Sequence, residues 1–98
     1  MLNNLNVNDK QFGTKIGKHA QDYGLDPKNA EHREVMRQII NDIVDNYDEI
    51  RVGTFLGQTG NVDFYVKGQD VVIANNGRFV SILKDGVNNL HVMQAIRR

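Results

Sequence analysis

One segment of this chain, residues 30–47, is strongly amphipathic, and it limits the folds available to the rest. Its apolar residues are separated alternately by one and three positions, the spacing of a helix with a single apolar face. These residues are Val35, Met36, Ile39, Ile40, Ile43, Val44 and Tyr47. Such a helix cannot bury its apolar face alone, so the chain must supply a second layer that packs against it.

The second half of the chain supplies that layer. After Ile50 the sequence is rich in β-branched residues and is punctuated by glycine, which predicts short strands. We predict four of them, at Ile50–Leu56, Val62–Val66, Val71–Ala74 and Phe79–Leu83. Asn76-Gly77 is the strongest turn signal, because both residues tolerate the positive φ that a two-residue hairpin requires. Consecutive hairpins make an antiparallel meander.

The predicted fold class is therefore α+β, with N-terminal helices on one face of a four- to five-stranded antiparallel sheet and the other face free to become a site. Val71-Val72-Ile73 is apolar on both sides, which predicts a central strand. Alternation predicts that Phe79, Ser81 and Leu83 share one face. The tail after Lys84 is compatible with an edge strand or a short helix.

The helices before the amphipathic segment are predicted from their ends. A first helix is expected from Asp9 or Phe12 to Tyr23. Asp26-Pro27 is expected to open the second helical region, because Asp suits the N-cap and Pro the first helical position.

Composition sets the domain organisation. The 98 residues suit a single domain, which we place at residues 12–98 after a polar, Asn-rich lead-in at residues 1–11 that we expect to be flexible. The absence of cysteine excludes disulfides, thiolate zinc sites and a cysteine nucleophile. No apolar run approaches the ~20 residues that span a bilayer, so we expect no membrane anchor in this segment. The polar start resembles no secretory signal, which suggests a cytosolic protein or a domain of a longer chain.

The net charge of zero argues against strong nucleic-acid binding, but the charges are unevenly distributed. Residues 25–50 hold an excess of acidic residues, and the parts before and after them hold an excess of basic ones. If the two ends meet in space, a neutral protein can carry a cationic cleft.

Reactive side chains concentrate in the first predicted helix. Four of them would share one side of a regular helix: Lys15, Lys18, His19 and Asp22. The ordinary explanation is a solvated cationic face. A metal site on His19 and Asp22 would need ligands that the sequence does not obviously supply, and nothing around Ser81 resembles a hydrolase elbow.

RNA cleavage is the alternative, because RNA carries its own nucleophile, the 2′-hydroxyl. The protein then needs a proton carrier, typically histidine, and cations or hydroxyls for the phosphate, with neither metal nor cofactor. His19 with Lys15 and Lys18 could supply part of this set. The predicted sheet could supply the rest from Arg51, Thr54, Arg78, Ser81 and Lys84.

Two strings in the chain resemble a known family. They are Lys18-His19-Ala20-Gln21-Asp22-Tyr23-Gly24 and the hairpin segment from Val71 to Lys84, which contains Asn76-Gly77, Phe79, Ser81 and Lys84. Between them lie Lys28-Asn29 and Gly53-Thr54-Phe55. In order and spacing they resemble the C-terminal nuclease domains of colicin D-like toxins, related to domains that end some contact-dependent growth-inhibition toxins.

This resemblance implies a function and a site. Such domains are metal-independent tRNA endonucleases of the barnase, EndoU, colicin and RelE fold group. They cut the anticodon loop and leave a 2′,3′-cyclic phosphate and a 5′-hydroxyl. By motif position, His19 matches the catalytic histidine, Lys18 a neighbouring cation, and Ser81 and Lys84 positions of the active site. Thr54 would be a further phosphate ligand, and Lys15, Arg51 and Arg78 would bind RNA.

The resemblance also implies partners. A cognate immunity protein, usually acidic, would cover the active site, and a host factor such as elongation factor Tu could assist binding. The toxin would be secreted or delivered from the cell surface as part of a larger protein and would act in the cytoplasm of a target bacterium. The family's second lysine is Ile16 here, and its last-strand tryptophan is Leu83. The alternatives are a non-catalytic interaction module, such as an immunity or antitoxin protein, and a nuclease that cuts messenger RNA on ribosomes.

Overall fold

The computed structural model describes residues 9–98, with side chains from Phe12 onward. The helices are α1 Asp9–Ile16, α2 His19–Asp22, α3 Ala30–Asp45 and α4 Leu90–Gln94. The strands are β1 Glu49–Gly53, β2 Val62–Lys67, β3 Asp70–Asn75, β4 Arg78–Leu83 and β5 Ile96–Arg97. All neighbouring strands are antiparallel, in the order β4-β3-β2-β1-β5. The predicted α+β class with an antiparallel sheet is confirmed.

The predictions for the two ends of the chain, the N-terminal lead-in and the C-terminal tail, have different outcomes. The predicted lead-in lies outside the described residues at positions 1–8, and its remaining positions 9–11 belong to α1. The tail contains both of the elements that the sequence left open, a short helix and then an edge strand. Within residues 9–98, no helix is both long and apolar enough to cross a membrane.

The first helix is not continuous, so the prediction of one helix reaching Tyr23 is wrong. Gly17 takes a left-handed φ of +39° between α1 and α2. Glycine reaches this region without the steric cost that a Cβ imposes, and the turn redirects the chain. Lys15 therefore lies on one helix and His19 on another, and the predicted single stripe does not form.

The long amphipathic helix exists, but it begins later than expected. Asn29, not Asp26, is its N-cap, and the Asn29 side chain accepts hydrogen bonds from the backbone amides of Glu31 and His32. Asp26 instead accepts from the amide of Lys28 in a local turn, and the Asp26 amide donates to Nδ1 of His32. The Asp26 carboxylate therefore caps a local turn that precedes α3 and not the helix itself.

The main core lies between the helices and one face of the sheet. Phe12 of α1 packs on Phe79 of β4 with ring centroids 5.5 Å apart. The buried members of this cluster come from α1, α2, α3, β3 and β4, and they are Phe12, Ile16, Ala20, Met36, Ile40, Ile43, Val44, Val72, Ala74, Phe79 and Ile82. Burying an aromatic ring of this size contributes about 2–3 kcal/mol, so these contacts fix α1 beside β4.

The opposite sheet face is also covered, so the prediction that it stays open for a site is wrong. A second cluster on this face joins the sheet to α4, and its buried members are Val62, Phe64, Val66, Val71, Ile73 and Val92. Phe55, Val87 and Ala95 pack against its border. The apolar residues of the tail serve as this cover because β3 is apolar on both faces and both must leave water.

A β-bulge changes the faces of β4. The register shifts between Ile73 and Ala74, so that Ser81 lies opposite Ile73 and Phe79 lies opposite Ala74. One extra residue on the bulged strand moves the side chains that follow to the other face. Phe79 therefore faces the helices and Ser81 does not, contrary to the simple alternation predicted for this strand.

The close approach at Gly86 gives a stability prediction. A Cβ at this position would lie 2.8 Å from Cβ of Leu83 and 2.9 Å from Cβ of Val71, where neither neighbour can move by rotating its side chain. We expect Gly86→Ala to lower the free energy of unfolding by about 1–3 kcal/mol. Urea denaturation measures this, with exposed Asn88→Ala in the same turn as the control. Equal stability of both variants would contradict the packing described.

Candidate functional site

The candidate residues lie mainly along β4, which is an edge strand of the sheet. On the helix face, α1 packs beside this strand through Phe12 and Phe79, and α2 joins the same cluster through Ala20. Lys84 directly follows the strand and Arg78 begins it. The α1–α2 segment therefore places its polar residues near both ends of β4.

His19 is the partly exposed histidine of this region. Its Nδ1 lies 3.7 Å from Oδ2 of Asp22, one turn later on α2, and 28% of its side chain is exposed. That separation is too long for a hydrogen bond but allows an ion pair when the imidazole is protonated. A histidine that is accessible and held beside a carboxylate has the placement that proton transfer requires.

Lys84 meets α2 at the same residue. Its Nζ donates to the carbonyl oxygen of Asp22 at 3.4 Å and lies 5.9 Å from the centroid of the Tyr23 ring. His19 and Lys84 thus both approach Asp22, the first at its carboxylate and the second at its backbone carbonyl. Asp70 and Asp85 lie beside Tyr23 as well, so the charge of Lys84 is offset by carboxylates. We call Asp22, Tyr23, Asp70, Lys84 and Asp85 the acidic corner.

Tyr23 ties α2 to the sheet at this corner. Its hydroxyl donates to Oδ2 of Asp70 at 3.1 Å, and Oδ1 of Asp70 accepts from the amide of Asp85. Burial, and then the neighbouring Asp70 carboxylate, raise the pKa of the Tyr23 phenol well above its ordinary value. Tyr23 therefore stays neutral and serves as a hydrogen-bond donor over the whole physiological pH range.

A groove lies at the other end of β4. It encloses about 570 Å³ and is lined by Lys15, Gln58, Thr59, Asn75, Asn76, Arg78, Phe79 and Val80. We call it the amide groove, because Nδ2 of Asn75 donates to Oε1 of Gln58 at 3.0 Å inside it. Lys15 and Arg78 are both exposed, and neither forms an ion pair or side-chain hydrogen bond with another residue of the described part of the chain. Two predicted RNA-binding residues are thus brought together.

Other predicted residues are not brought to His19. Ser81 is only 8% exposed and shares the sheet face of Ile73, whereas α2 lies on the opposite face. Thr54 is exposed just beyond β1, on the far side of β2 and β3 from the edge strand β4.

Arg51 is held in a structural role. Its guanidinium donates to both carboxylate oxygens of Glu49, at 3.2 and 3.3 Å, and to the carbonyl of Val92 at 3.1 Å. The Arg51 and Arg97 guanidiniums hold the pKa of Glu49 below its ordinary value. Arg51 thereby fastens α4 to β1, and its donors are largely occupied.

Two polar residues of the amide groove were not predicted from the sequence. Gln58 lies in a glycine-flanked loop and Asn75 precedes the tight hairpin, at Asn76 and Gly77 with φ values of +51° and +75°. Neither position carries a motif of its own. Their separation of 17 residues closes only through the pairing of β2 with β3.

The histidines outside this region have other contacts. His32 accepts from the Asp26 amide, and the His91 ring packs edge-on against Phe55 with centroids 5.5 Å apart. Across the described residues, no group of three or more His, Asp or Glu side chains is arranged to hold a metal ion.

Comparisons with protein-family models, with curated proteins and with solved structures each found no match to this chain. The resemblance to colicin D-like nucleases therefore rests on the sequence strings alone.

The Tyr23–Asp70 contact gives a prediction with a defined pH dependence. Tyr23→Phe should lower the free energy of unfolding by about 1 kcal/mol, the net value of one hydrogen bond. Because folding raises the pKa of this phenol, the stabilisation is complete below its unfolded pKa, about 10, and is lost as pH rises through the folded value. Urea denaturation from pH 7 to 11 tests this.

Tyr47→Phe is the matched control, since Tyr47 is 46% exposed and its hydroxyl forms no hydrogen bond within the described residues. A wild-type advantage over Tyr23→Phe that grows above pH 10 would contradict the assigned direction.

Proposed function

We propose that this protein is a metal-independent RNA endonuclease that cleaves tRNA in the anticodon loop. The observation that carries the proposal is the placement of His19, which is partly exposed and lies beside Asp22, whose carbonyl oxygen accepts a hydrogen bond from Lys84. The resemblance of two sequence strings to colicin D-like domains is the ground for choosing tRNA, and the cations Lys18 and Lys84 support an anionic substrate.

The chemistry requires little more than a proton carrier and positive charge. The 2′-oxygen forms a bond to the adjacent phosphorus, the bond from phosphorus to the 5′-oxygen breaks, and a 2′,3′-cyclic phosphate and a 5′-hydroxyl result. In this proposal His19 takes the proton of the 2′-hydroxyl, and water protonates the leaving oxygen. Asp22 lies beside the imidazole, so its carboxylate can form an ion pair with the imidazolium produced in the step.

The phosphate is assigned to the lysines nearest His19. Lys18 precedes it directly, is exposed and is free of ion pairs with described residues, so it can approach the developing negative charge. Lys84 is the second cation, although the acidic corner reduces its effect. Ser81, on the other face of the sheet, has no part in this version of the site, and Thr54 has none either.

The biological setting follows from the resemblance. As a toxin domain of a larger delivered protein, the nuclease would act inside a competing bacterium. The producing cell would protect itself with an acidic immunity protein, whose carboxylates would suit the cations beside β4.

The first test removes the proton carrier. His19→Ala should lower the rate of tRNA cleavage by about 10²–10⁴-fold, the usual contribution of a general acid or base, because the other two histidines have contacts elsewhere, His32 with Asp26 and His91 with Phe55. Single-turnover cleavage of purified tRNA gives the rate, and circular dichroism checks the fold. His32→Ala is the control with the same chemical change and should cleave normally. Wild-type activity in His19→Ala would contradict the assignment of His19 as the proton carrier.

The second test identifies the reaction and its target. The wild-type protein expressed in a bacterium should produce tRNA fragments with 2′,3′-cyclic phosphate ends in the anticodon loop, and EDTA should leave purified activity unchanged. Mapping of RNA ends gives the sites. Ends confined to messenger RNA would indicate a ribosome-dependent nuclease, and strong inhibition by EDTA would indicate a metal-dependent one. Neither growth inhibition nor cleaved RNA would favour a non-catalytic interaction module.

A further inference from the structure

The amide groove has two features that match different parts of a nucleotide. At one side, Lys15 on α1 and Arg78 on β4 provide two exposed cations that no described carboxylate neutralises. Arginine presents a planar fork of donors that fits phosphate oxygens, and lysine adds a point charge. The two cations belong to separate elements whose relative position is fixed by the buried Phe12–Phe79 contact.

The second feature is the paired amides. Asn75 Nδ2 donates to Gln58 Oε1 at 3.0 Å, and its second contact, to the Thr59 carbonyl, is long at 3.5 Å. The remaining groups of the pair are Nε2 of Gln58, a donor, and Oδ1 of Asn75, an acceptor, and neither has a partner among the described residues. A nucleobase edge carries both donors and acceptors, so it offers partners for these two groups.

We propose that the amide groove binds one unpaired nucleotide of the RNA substrate, with its phosphate at Lys15 and Arg78 and its base edge at Gln58 and Asn75. This inference rests on the proposed function, because it takes RNA as the ligand. It adds a specificity-determining site to the cleavage site at His19.

An unpaired nucleotide fits better than a duplex. The groove volume of about 570 Å³ is within the range of small-molecule pockets, so the groove has room for a single base. Sequence-specific recognition of RNA depends on bases that are not paired, because only these expose their edges. Loops of folded RNA present such bases, which agrees with a nuclease that cuts in a loop.

The groove also connects with the cleavage site along the chain. Lys15 precedes His19 by four positions, across the turn at Gly17, and the two helices that carry them pack in one cluster with β4. A strand of RNA following the β4 edge would meet the cations of the groove at one end and His19 further along. The groove would thus choose which nucleotide is held near the bond that is cut.

The test measures binding without cleavage. All variants are made in the His19→Ala background, and their affinities for fluorescein-labelled ten-nucleotide RNAs of oligo(A), oligo(C) and oligo(U) are measured by fluorescence anisotropy at several salt concentrations. Circular dichroism confirms that each variant is folded. Lys28→Ala is the charge control, since Lys28 is exposed and does not line the groove.

The phosphate part predicts a uniform effect. Lys15→Ala and Arg78→Ala should each weaken binding at least about threefold for all three RNAs and reduce the slope of log affinity against log salt by about 0.7 to 1. Lys28→Ala should change neither. Wild-type affinity in the two groove variants, or an equal loss in Lys28→Ala, would overturn the phosphate site.

The base part predicts a selective effect. Gln58→Ala and Asn75→Ala should change the ratio of affinities among the three RNAs by at least about threefold and leave the salt dependence unchanged. Equal losses for all three RNAs would overturn base recognition at the amide pair.

The two proposals fail in different ways. If the His19→Ala protein binds none of the RNAs, the groove proposal is overturned whatever the wild type cleaves. If it binds them with the predicted pattern but the wild type cleaves no RNA, the groove proposal stands and the nuclease proposal falls. If every groove variant binds RNA normally and the wild type cleaves RNA, the groove proposal falls and the nuclease proposal stands.

Discussion

The rest of the structure depends on the burial of β3 on both of its faces. Every residue from Val71 to Ala74 is buried, so the strand must be covered twice. On one side Val72 and Ala74 meet the helices, and on the other Val71 and Ile73 meet the cluster that contains Val92. The long helix α3 helps to cover one face, and the short C-terminal tail covers the other. No sheet face remains for a site, and polar function is confined to the edges and ends of strands.

The sequence predicted what depends on local pattern. The period of the long helix, the approximate positions of the four main strands and the Asn76-Gly77 turn are each encoded within a few residues and are confirmed, except that the first strand ends at Gly53 and not at Leu56. The break at Gly17 was missed because a single glycine is tolerated within a helix, and the left-handed φ of Gly17, which ends α1, carries no signal in the local sequence pattern. The bulge at the Ile73–Ala74 register shift depends on how β3 and β4 pair, so it cannot be predicted from the sequence of either strand alone.

For the candidate site, the sequence shows which residues are charged, but it does not show which of these charges are paired in the folded protein. Lys15 and Arg78 were chosen as cations, and the topology brings them to one groove. Arg51 was chosen on the same ground, yet Glu49 lies two residues earlier on the same strand, and residues at that spacing share a face. That pairing could have been anticipated from spacing alone. The Gln58–Asn75 contact could not, because it joins a loop to a strand through the assembled sheet.

A neutral protein can still attract an anion if its carboxylates are placed elsewhere. Lys67 pairs with Asp42, Arg98 with Asp63 and Arg97 with Glu49, so the cations on the β1, β2 and β5 side are largely neutralised. The charge of Lys15 and Arg78 is not neutralised in this way within the described chain, and the field beside β4 is correspondingly positive. At the far end of β4 the carboxylates of the acidic corner reduce the positive charge of Lys84. Under the proposed function, a polyanion along this edge would be attracted more strongly at the groove than at Lys84, because the groove cations have no such carboxylates beside them among the described residues.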